Sequence, residues 1–101
     1  MRAEPYPVDY QKRASEDVRA AYRWYEDQRP GLGEEFLASL KEAEVFAATM
    51  PLACPVLHRN TRRVLLARFP YGLYFRFDGA TIIPVACYHG RRNPEGWRRR
   101  R

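Results

Sequence analysis

Hydrophobic residues recur at helical spacing twice in the first half of the chain. The first stripe predicts an amphipathic helix from Gln11 to about Gln28. The second stripe begins at Phe36 and predicts a helix that ends at Pro51. Pro30 and two neighbouring glycines interrupt the pattern between the stripes and allow a tight reversal. The two segments therefore predict a helical hairpin.

The second half alternates between apolar and polar positions in the manner of β-strands. The pattern predicts three strands, at residues 62–69, 73–77 and 81–88. The Asp78-Gly79 pair predicts a type I′ turn that joins the last two strands in a hairpin. Pro84 removes one backbone donor from the last strand, so it predicts either an exposed edge or a β-bulge there.

Two shorter segments complete the predicted architecture. Residues 6–10 alternate weakly and predict a short edge strand, whereas residues 51–60 contain two prolines and predict an irregular connection, a candidate functional loop. The expected fold is α+β in the order β-α-α-β-β-β, with the helical hairpin packed on a small, mainly antiparallel sheet. We expect a single domain over residues 1–101, with a basic tail that frays at residues 98–101.

Charge is distributed unevenly along the chain. Residues 1–50 carry 7 basic and 10 acidic side chains, whereas residues 51–101 carry 11 basic and 2 acidic ones, for a net charge of +6. Most basic residues are arginines, whose planar guanidinium suits phosphate and carboxylate groups. The second half therefore predicts an acidic or polyanionic partner.

Other classes of site find little support in the sequence. Cys54 and Cys87 are the only cysteines and have no ligand spacing, so we expect no metal and no cofactor. No apolar run approaches the length of a membrane span, and no apolar leader opens the chain. We expect no contact with a membrane and a location in the reducing cytoplasm.

One histidine close to arginines and a tyrosine fits the cleavage of RNA. A general base would remove the 2′-hydroxyl proton while arginines stabilise charge on the phosphate. In the tail, Tyr88, His89 and Arg91 supply groups of these types. A histidine at the end of a strand also serves as a hydrogen-bonded structural residue, and both interpretations stay open at this point.

Several short motifs and their order resemble a known group of proteins. The motifs are Trp24-Tyr25, Pro30-Gly31-Leu32-Gly33, Phe36-Leu37, the run from Arg62 to Tyr71, and the tail from His89 to Pro94 with Trp97. Together with the predicted elements, they resemble the RelE/ParE superfamily of toxins from type II toxin–antitoxin modules. The Arg-Phe-Pro-Tyr turn and the His-x-x-Arg-x-Pro tail are most similar to the ParE, or plasmid-stabilisation, branch.

The resemblance implies a toxin neutralised by a cognate antitoxin. In this superfamily an acidic carboxy-terminal segment of the antitoxin wraps the toxin, and the toxin reaches operator DNA only indirectly, through the antitoxin. ParE-like members are associated with poisoning DNA gyrase by binding, without a reaction of their own. RelE-like members cleave mRNA on the ribosome with basic residues from the sheet. For that branch, the resemblance implies a nuclease set of Arg62, Arg68, Arg76, Tyr88, His89 and Arg91. The tail favours the non-enzymatic ParE type, with the mRNA endonuclease and a non-toxic interaction module as alternatives.

The resemblance also implies two sets of contact residues. The expected contacts with the target are Arg68, Tyr71, His89, Arg91, Arg92 and Trp97. The expected contacts with the antitoxin are Trp24, Tyr25, Phe36, Leu37 and Arg63.

Overall fold

A helical hairpin covers one face of a four-stranded antiparallel sheet, and a short helix covers part of the other face. The computed structural model describes residues 4–100. Its elements, in chain order, are α1 (Lys12–Gln28), α2 (Leu32–Thr49), a 3-10 turn (Pro51–Ala53), β1 (Val56–His58), β2 (Thr61–Leu65), β3 (Tyr71–Phe77), β4 (Ile82–His89) and α3 (Glu95–Arg98). The strand order is β1-β2-β3-β4, and every neighbouring pair is antiparallel. The predicted α+β class, the hairpin and the three predicted strands are confirmed, although the first of these strands ends at Leu65 and not at residue 69.

The two segments that flank the helices differ from the prediction. The expected strand at residues 6–10 is reduced to an isolated parallel bridge between Val8 and Ile82. Hydrogen bonds from Asp9 N to Ile82 O and from Gln11 N to Pro84 O keep this segment beside β4. Residues 51–60 are not irregular throughout, because they contain the 3-10 turn and β1. The second error arises because three-residue elements leave almost no periodicity.

The Asp78-Gly79 hairpin exists, but the predicted type I′ turn is wrong. That turn needs positive φ at both central residues, and only Gly79 has it, at φ 93°. Instead, Asp78 Oδ1 accepts hydrogen bonds from the backbone N–H groups of Ala80 and Thr81, at 2.9 and 2.8 Å. These two donors lower the pKa of Asp78. The carboxylate therefore organises a longer loop than the sequence pair indicated.

Pro84 lies at a β-bulge, which confirms one of its two predicted settings. In the β3–β4 ladder, Tyr74 pairs with Ala86 and Phe75 pairs with Pro84, so Val85 is the extra residue. The bulge places the proline where the β3 ladder needs no donor from it. Its carbonyl oxygen is used on the other side, by Gln11 N at 3.0 Å.

The inner face of the sheet, defined by Leu73, Phe75 and Cys87, packs against the helical hairpin. At one end of this core is an aromatic cluster, whose ring centroids lie 4.9 to 6.0 Å apart in tilted or stacked pairs. Its members are Tyr25, Phe36, Phe69 and Tyr71. Phe36 lies at the centre of this cluster and is 0% exposed. Burial and ring contacts of this kind give most of a small core's stability.

The hairpin turn is fastened by one carboxylate. Glu26 accepts hydrogen bonds from the backbone N–H groups of Gly31 and Gly33, at 3.0 and 2.9 Å. These N–H groups open α2 and have no partner within the helix, so the carboxylate acts as its amino-terminal cap. A Cβ at Gly33 would lie 2.8 Å from the Tyr22 ring, so glycine lets the two helices approach.

The outer face of the sheet, defined by Tyr74, Arg76 and Tyr88, is covered by α3. Trp97 stacks on Tyr74 with ring centroids 4.4 Å apart and is itself buried. Strand alternation separates the two faces, because consecutive side chains of β3 and β4 point in opposite directions. No helix among residues 4–100 is both long and apolar enough to cross a membrane.

The basic tail is held in place by what we call the tail latch, the ion pair between Arg100 and Asp17. Arg100 also donates to Val85 O at 3.0 Å, and Asp17 Oδ2 accepts from Cys87 N at 3.0 Å. The latch therefore occupies backbone groups on the free edge of β4. Of the tail that was expected to fray, Arg98 lies in α3 and Arg100 lies in the latch, and residue 101 lies outside the described residues.

Candidate functional site

Two cavities open on the arginine-rich outer face, and α3 contributes to the walls of both. The larger, which we call the arginine cavity, has a volume of about 680 Å³. It is lined by His58, Arg59, Asn60, Thr61, Arg76, Glu95, Arg98, Arg99 and Arg100. The smaller, the tail cavity, has a volume of about 350 Å³. It is lined by Leu57, Arg63, Tyr74, His89, Gly90, Arg92, Pro94, Trp97 and Arg98.

The predicted nuclease residues are not gathered at either cavity. Arg62 pairs directly with the core residue Phe75, and its Nη1 donates to Cys54 O at 2.9 Å, so it belongs to the inner side of the sheet. Arg68 lies in the β2–β3 connection, 3.9 Å from the Glu35 carboxylate of α2. Neither guanidinium shares a cavity with Arg76.

Tyr88 is buried where no substrate reaches it. Its side chain is 3% exposed, and a Cβ at Gly96 would lie 1.8 Å from its hydroxyl oxygen. The guanidinium carbons of Arg92 and Arg100 lie 4.1 and 5.3 Å from the centre of its ring. These cation–π contacts make Tyr88 a platform for the tail and not an accessible acid or base.

His89 is also committed to a local contact. Its Nδ1 accepts a hydrogen bond from Arg91 N at 3.0 Å, and its ring meets Tyr71 edge to face at 5.3 Å. A neutral imidazole that accepts at Nδ1 carries its proton on Nε2. Neither nitrogen then offers a free lone pair to take a hydroxyl proton. Strand alternation directs the His89 ring towards Tyr71 and away from Tyr88, and His89 lines the tail cavity where the strand ends.

The expected target-contact residues converge at one end of the sheet. Tyr71 pairs with His89 across the β3–β4 ladder, and Gly90 N donates to Pro70 O at 2.8 Å. The Arg-Phe-Pro-Tyr turn and the tail are therefore neighbours, which the sequence did not show. Arg68, Arg91 and Arg92 are exposed at this sheet end, whereas Tyr71 and Trp97 serve mainly in packing.

A sequence profile for the ParE toxin of the type II toxin-antitoxin system, parDE, matches residues 8–94. The chain belongs to the ParE toxin family. This ParE-family protein is the toxin component of a type II toxin–antitoxin system, and the predicted recognition is confirmed. No curated protein sequence matches it.

Two solved structures share the fold of this ParE-family chain. The chromosomal ParDE toxin–antitoxin system from P. aeruginosa superposes with a TM-score of 0.73 at 18% identity, covering 83% of this chain and 95% of the other. The RelBE2 toxin–antitoxin complex from Mycobacterium tuberculosis superposes with a TM-score of 0.58 at 23% identity, covering 85% and 99%. At these identities, the similarity concerns the fold.

The expected antitoxin contacts of this ParE-family toxin are divided by the structure. Tyr25 and Phe36 are core residues held by the aromatic cluster, so they offer little side-chain surface to an antitoxin. Trp24 is 58% exposed, and Leu37 lines a groove between the helices. Arg63 lies across the sheet, in the wall of the tail cavity. Of the five expected contacts, Trp24 and Leu37 are the ones accessible on the hairpin.

The sequence did not indicate the hairpin groove, because its members lie within ordinary amphipathic helix patterns. It has a volume of about 360 Å³ and is lined by Val18, Arg19, Tyr22, Arg23, Glu34 and Leu37. Around the edge strand β1, four further apolar side chains are exposed: Leu52, Val56, Leu57 and Leu65. Their signal was hidden, because β1 lay inside a segment predicted to be irregular.

No group of three or more His, Cys, Asp or Glu side chains in residues 4–100 is arranged to hold a metal ion. The two cysteines are buried, and burial raises the pKa of both thiols, that of Cys87 to about 12. A protonated, buried thiol is a poor nucleophile and a poor ligand. The chemically distinctive groups of the outer face are therefore its positively charged arginines.

Proposed function

We propose that this toxin acts in the cytoplasm by binding DNA gyrase and poisoning it, without a reaction of its own. Membership in the ParE family supports the proposal. The observation that carries it is the separation of the catalytic candidates: Tyr88 is buried under α3, and His89 engages Nδ1 at the backbone. A buried acid and a base directed away from it do not act on one phosphate.

The surface proposed to meet gyrase is the sheet end where the β2–β3 connection and the tail are neighbours. It exposes the guanidinium groups of Arg68, Arg91 and Arg92. Arg92 also stacks on Tyr88, so its removal would disturb the tail. No ion pair within residues 4–100 involves Arg91, which makes it the cleanest probe of target binding.

We further propose that an acidic, apolar segment of the antitoxin lies in the hairpin groove. The groove combines an apolar floor from Val18 and Leu37 with two exposed arginines, Arg19 and Arg23. An amphipathic segment with acidic side chains complements both features. Contact with operator DNA is then made by the antitoxin.

Gyrase assays with purified toxin test the first proposal. We expect DNA cleavage complexes to accumulate in the presence of toxin, gyrase and ATP, and purified ribosomes to leave mRNA intact. Arg91→Ala should require about tenfold more toxin, equivalent to about 1.4 kcal/mol of binding free energy. Arg13→Ala, an exposed arginine of α1, is the matched control and should not change the response.

Two results would contradict this proposal. Cuts in mRNA phased with the ribosomal A site would establish the endonuclease alternative. Normal growth after induction of the toxin without its antitoxin would favour the non-toxic interaction module.

Calorimetry with the product of the adjacent gene tests the antitoxin surface. Charge reversal by Arg19→Glu with Arg23→Glu should weaken binding more than tenfold, because it places like charges beside the acidic segment. Arg13→Glu on the same helix is the control and should change the affinity little. Equal affinities for both variants would place the antitoxin elsewhere.

A further inference from the structure

The arginine cavity carries a positive charge that its own acidic neighbours do not balance. Two of its five arginines have carboxylate partners: Arg98 lies 3.5 Å from Glu95, and Arg100 pairs with Asp17. No ion pair joins Arg59, Arg76 or Arg99 to an acidic side chain within the described part of the chain. Three guanidinium charges thus face one space without compensation.

Arg76 is the least satisfied of the three. It lies on the outer face of β3, paired with Thr61 on one side and Ile83 on the other. Its Nε and Nη2 atoms are buried and have no hydrogen-bond acceptor among residues 4–100, and the same is true of Arg100 Nε. Burial of donors without acceptors destabilises a fold, and each such case needs an explanation.

A bound anion would compensate the charge of this group, although the buried Nε and Nη2 atoms would not contact it directly. The charge of a guanidinium is shared by its three nitrogens, so an anion in the cavity that Arg76 lines compensates the charge of the whole group. Oxyanions also supply several acceptors at once, which suits the planar donors of arginine. The cavity volume lies in the range of small-ligand sites.

The charge count indicates the class of anion. A phosphate monoester carries about −1.5 to −2 at neutral pH, which is less than the three uncompensated arginines. We propose that the arginine cavity binds a compact anion with two adjacent phosphoryl groups, such as the diphosphate of a nucleotide. This site is separate from the sheet end assigned to gyrase, and it does not depend on the identity of the toxin's target.

Inorganic pyrophosphate is the probe, titrated calorimetrically into the full chain at about 0.15 M salt, where weak surface charge effects are screened. We expect saturable binding with one site per chain. Arg99→Gln should weaken it about tenfold, and Arg13→Gln, remote from the cavity, should leave it unchanged. Inorganic phosphate should bind at least tenfold more weakly than pyrophosphate.

Arg76→Met separates a binding role from a structural one. An apolar side chain of similar length removes the cost of the two buried donors that lack acceptors, so the melting temperature without ligand should rise. The same variant should lose the increase in melting temperature that pyrophosphate gives to the parent. A lowered melting temperature with unchanged pyrophosphate binding would overturn the proposal.

Two competitors complete the test. A single-stranded oligonucleotide or an acidic peptide that binds through Arg76 while pyrophosphate does not would overturn the small-anion assignment in favour of that polymer. Displacement of bound pyrophosphate by a nucleoside diphosphate, with no displacement by the unphosphorylated nucleoside, would support it and identify the phosphoryl groups as the recognised part.

Discussion

The two faces of one sheet are covered in different ways. Consecutive residues of β3 alternate between them: Leu73 and Phe75 face two helices of 17 and 18 residues, whereas Tyr74 and Arg76 face a helix of four residues. The helical hairpin is attached to the inner face mainly by apolar burial, with a few polar contacts such as Cys87 N to Asp17 Oδ2 at 3.0 Å. The short helix α3 is held on the outer face mainly by Trp97 and the tail latch. Its attachment is therefore more sensitive to single substitutions and to salt than that of the helical hairpin.

The largest expected effect is on the inner face. Phe36→Ala should lower the free energy of unfolding by about 3–5 kcal/mol, because it empties the centre of the aromatic cluster. Urea denaturation followed by circular dichroism measures the change. Phe46→Ala on the same helix, where the ring is exposed, should cost far less. Equal costs would mean that the inner face is not the dominant core.

The contrast between the faces also explains what the sequence could predict. Phe36, Leu40 and Ala43 recur at helical spacing because they bury a stripe, so the helices and the inner core were readable from the pattern. β1 was not readable, because three residues form no period. The turn at Asp78 was misjudged, because its type depends on a side-chain hydrogen bond that competes with the residue preference.

The next prediction concerns the tail latch. Arg100→Gln leaves the Asp17 carboxylate without its cation and should cost about 3 kcal/mol, the lower end for a broken buried pair, because Cys87 N still donates to Asp17. Release of α3 should shift Trp97 fluorescence to longer wavelength, measured in a Trp24→Phe background. Its neighbour Arg99 is exposed, and Arg99→Gln should leave the spectrum unchanged. An unchanged Trp97 spectrum in Arg100→Gln would show that stacking of Trp97 on Tyr74 is sufficient to hold α3 in place.

No sequence signal could have found this latch. Asp17 and Arg100 are 83 residues apart, and each looks like an ordinary charged surface residue. The same holds for the arginine cavity: the charge excess of the second half was visible, but strand alternation and the bulge at Val85 decide which arginines share a space. The charge of a segment can be counted from its sequence, whereas the residues that form a site depend on the sheet face of each side chain and on the register of the strands.

A smaller effect is expected where α3 lies on Tyr88. Gly96→Ala places a Cβ against the tyrosine hydroxyl and should cost about 2 kcal/mol by overpacking. Gly90→Ala, whose added Cβ would lie 3.6 Å from its nearest contact, Pro70 O, is the control and should be close to neutral. Tyr88→Phe removes the clashing oxygen, so the double variant should recover part of the loss in a thermal melt. No recovery would assign the loss to the backbone of α3.

The smallest effect tests whether the inner face excludes water. Burial raises the folded pKa of Cys87 from 9.0 to about 12, so the folded thiol stays neutral while the unfolded thiol ionises. The contribution of the neutral Cys87 thiol to the free energy of unfolding is complete below pH 9 and is lost as the pH rises towards 12. Between pH 8 and pH 10 the parent should therefore lose about 1.4 kcal/mol more than Cys87→Ala under reducing conditions. Urea midpoints at both pH values give the difference, in which all other titrations cancel. Equal losses of stability in the two proteins would mean that solvent reaches this thiol. The two faces of the sheet would then differ in their residue types and not in their access to water.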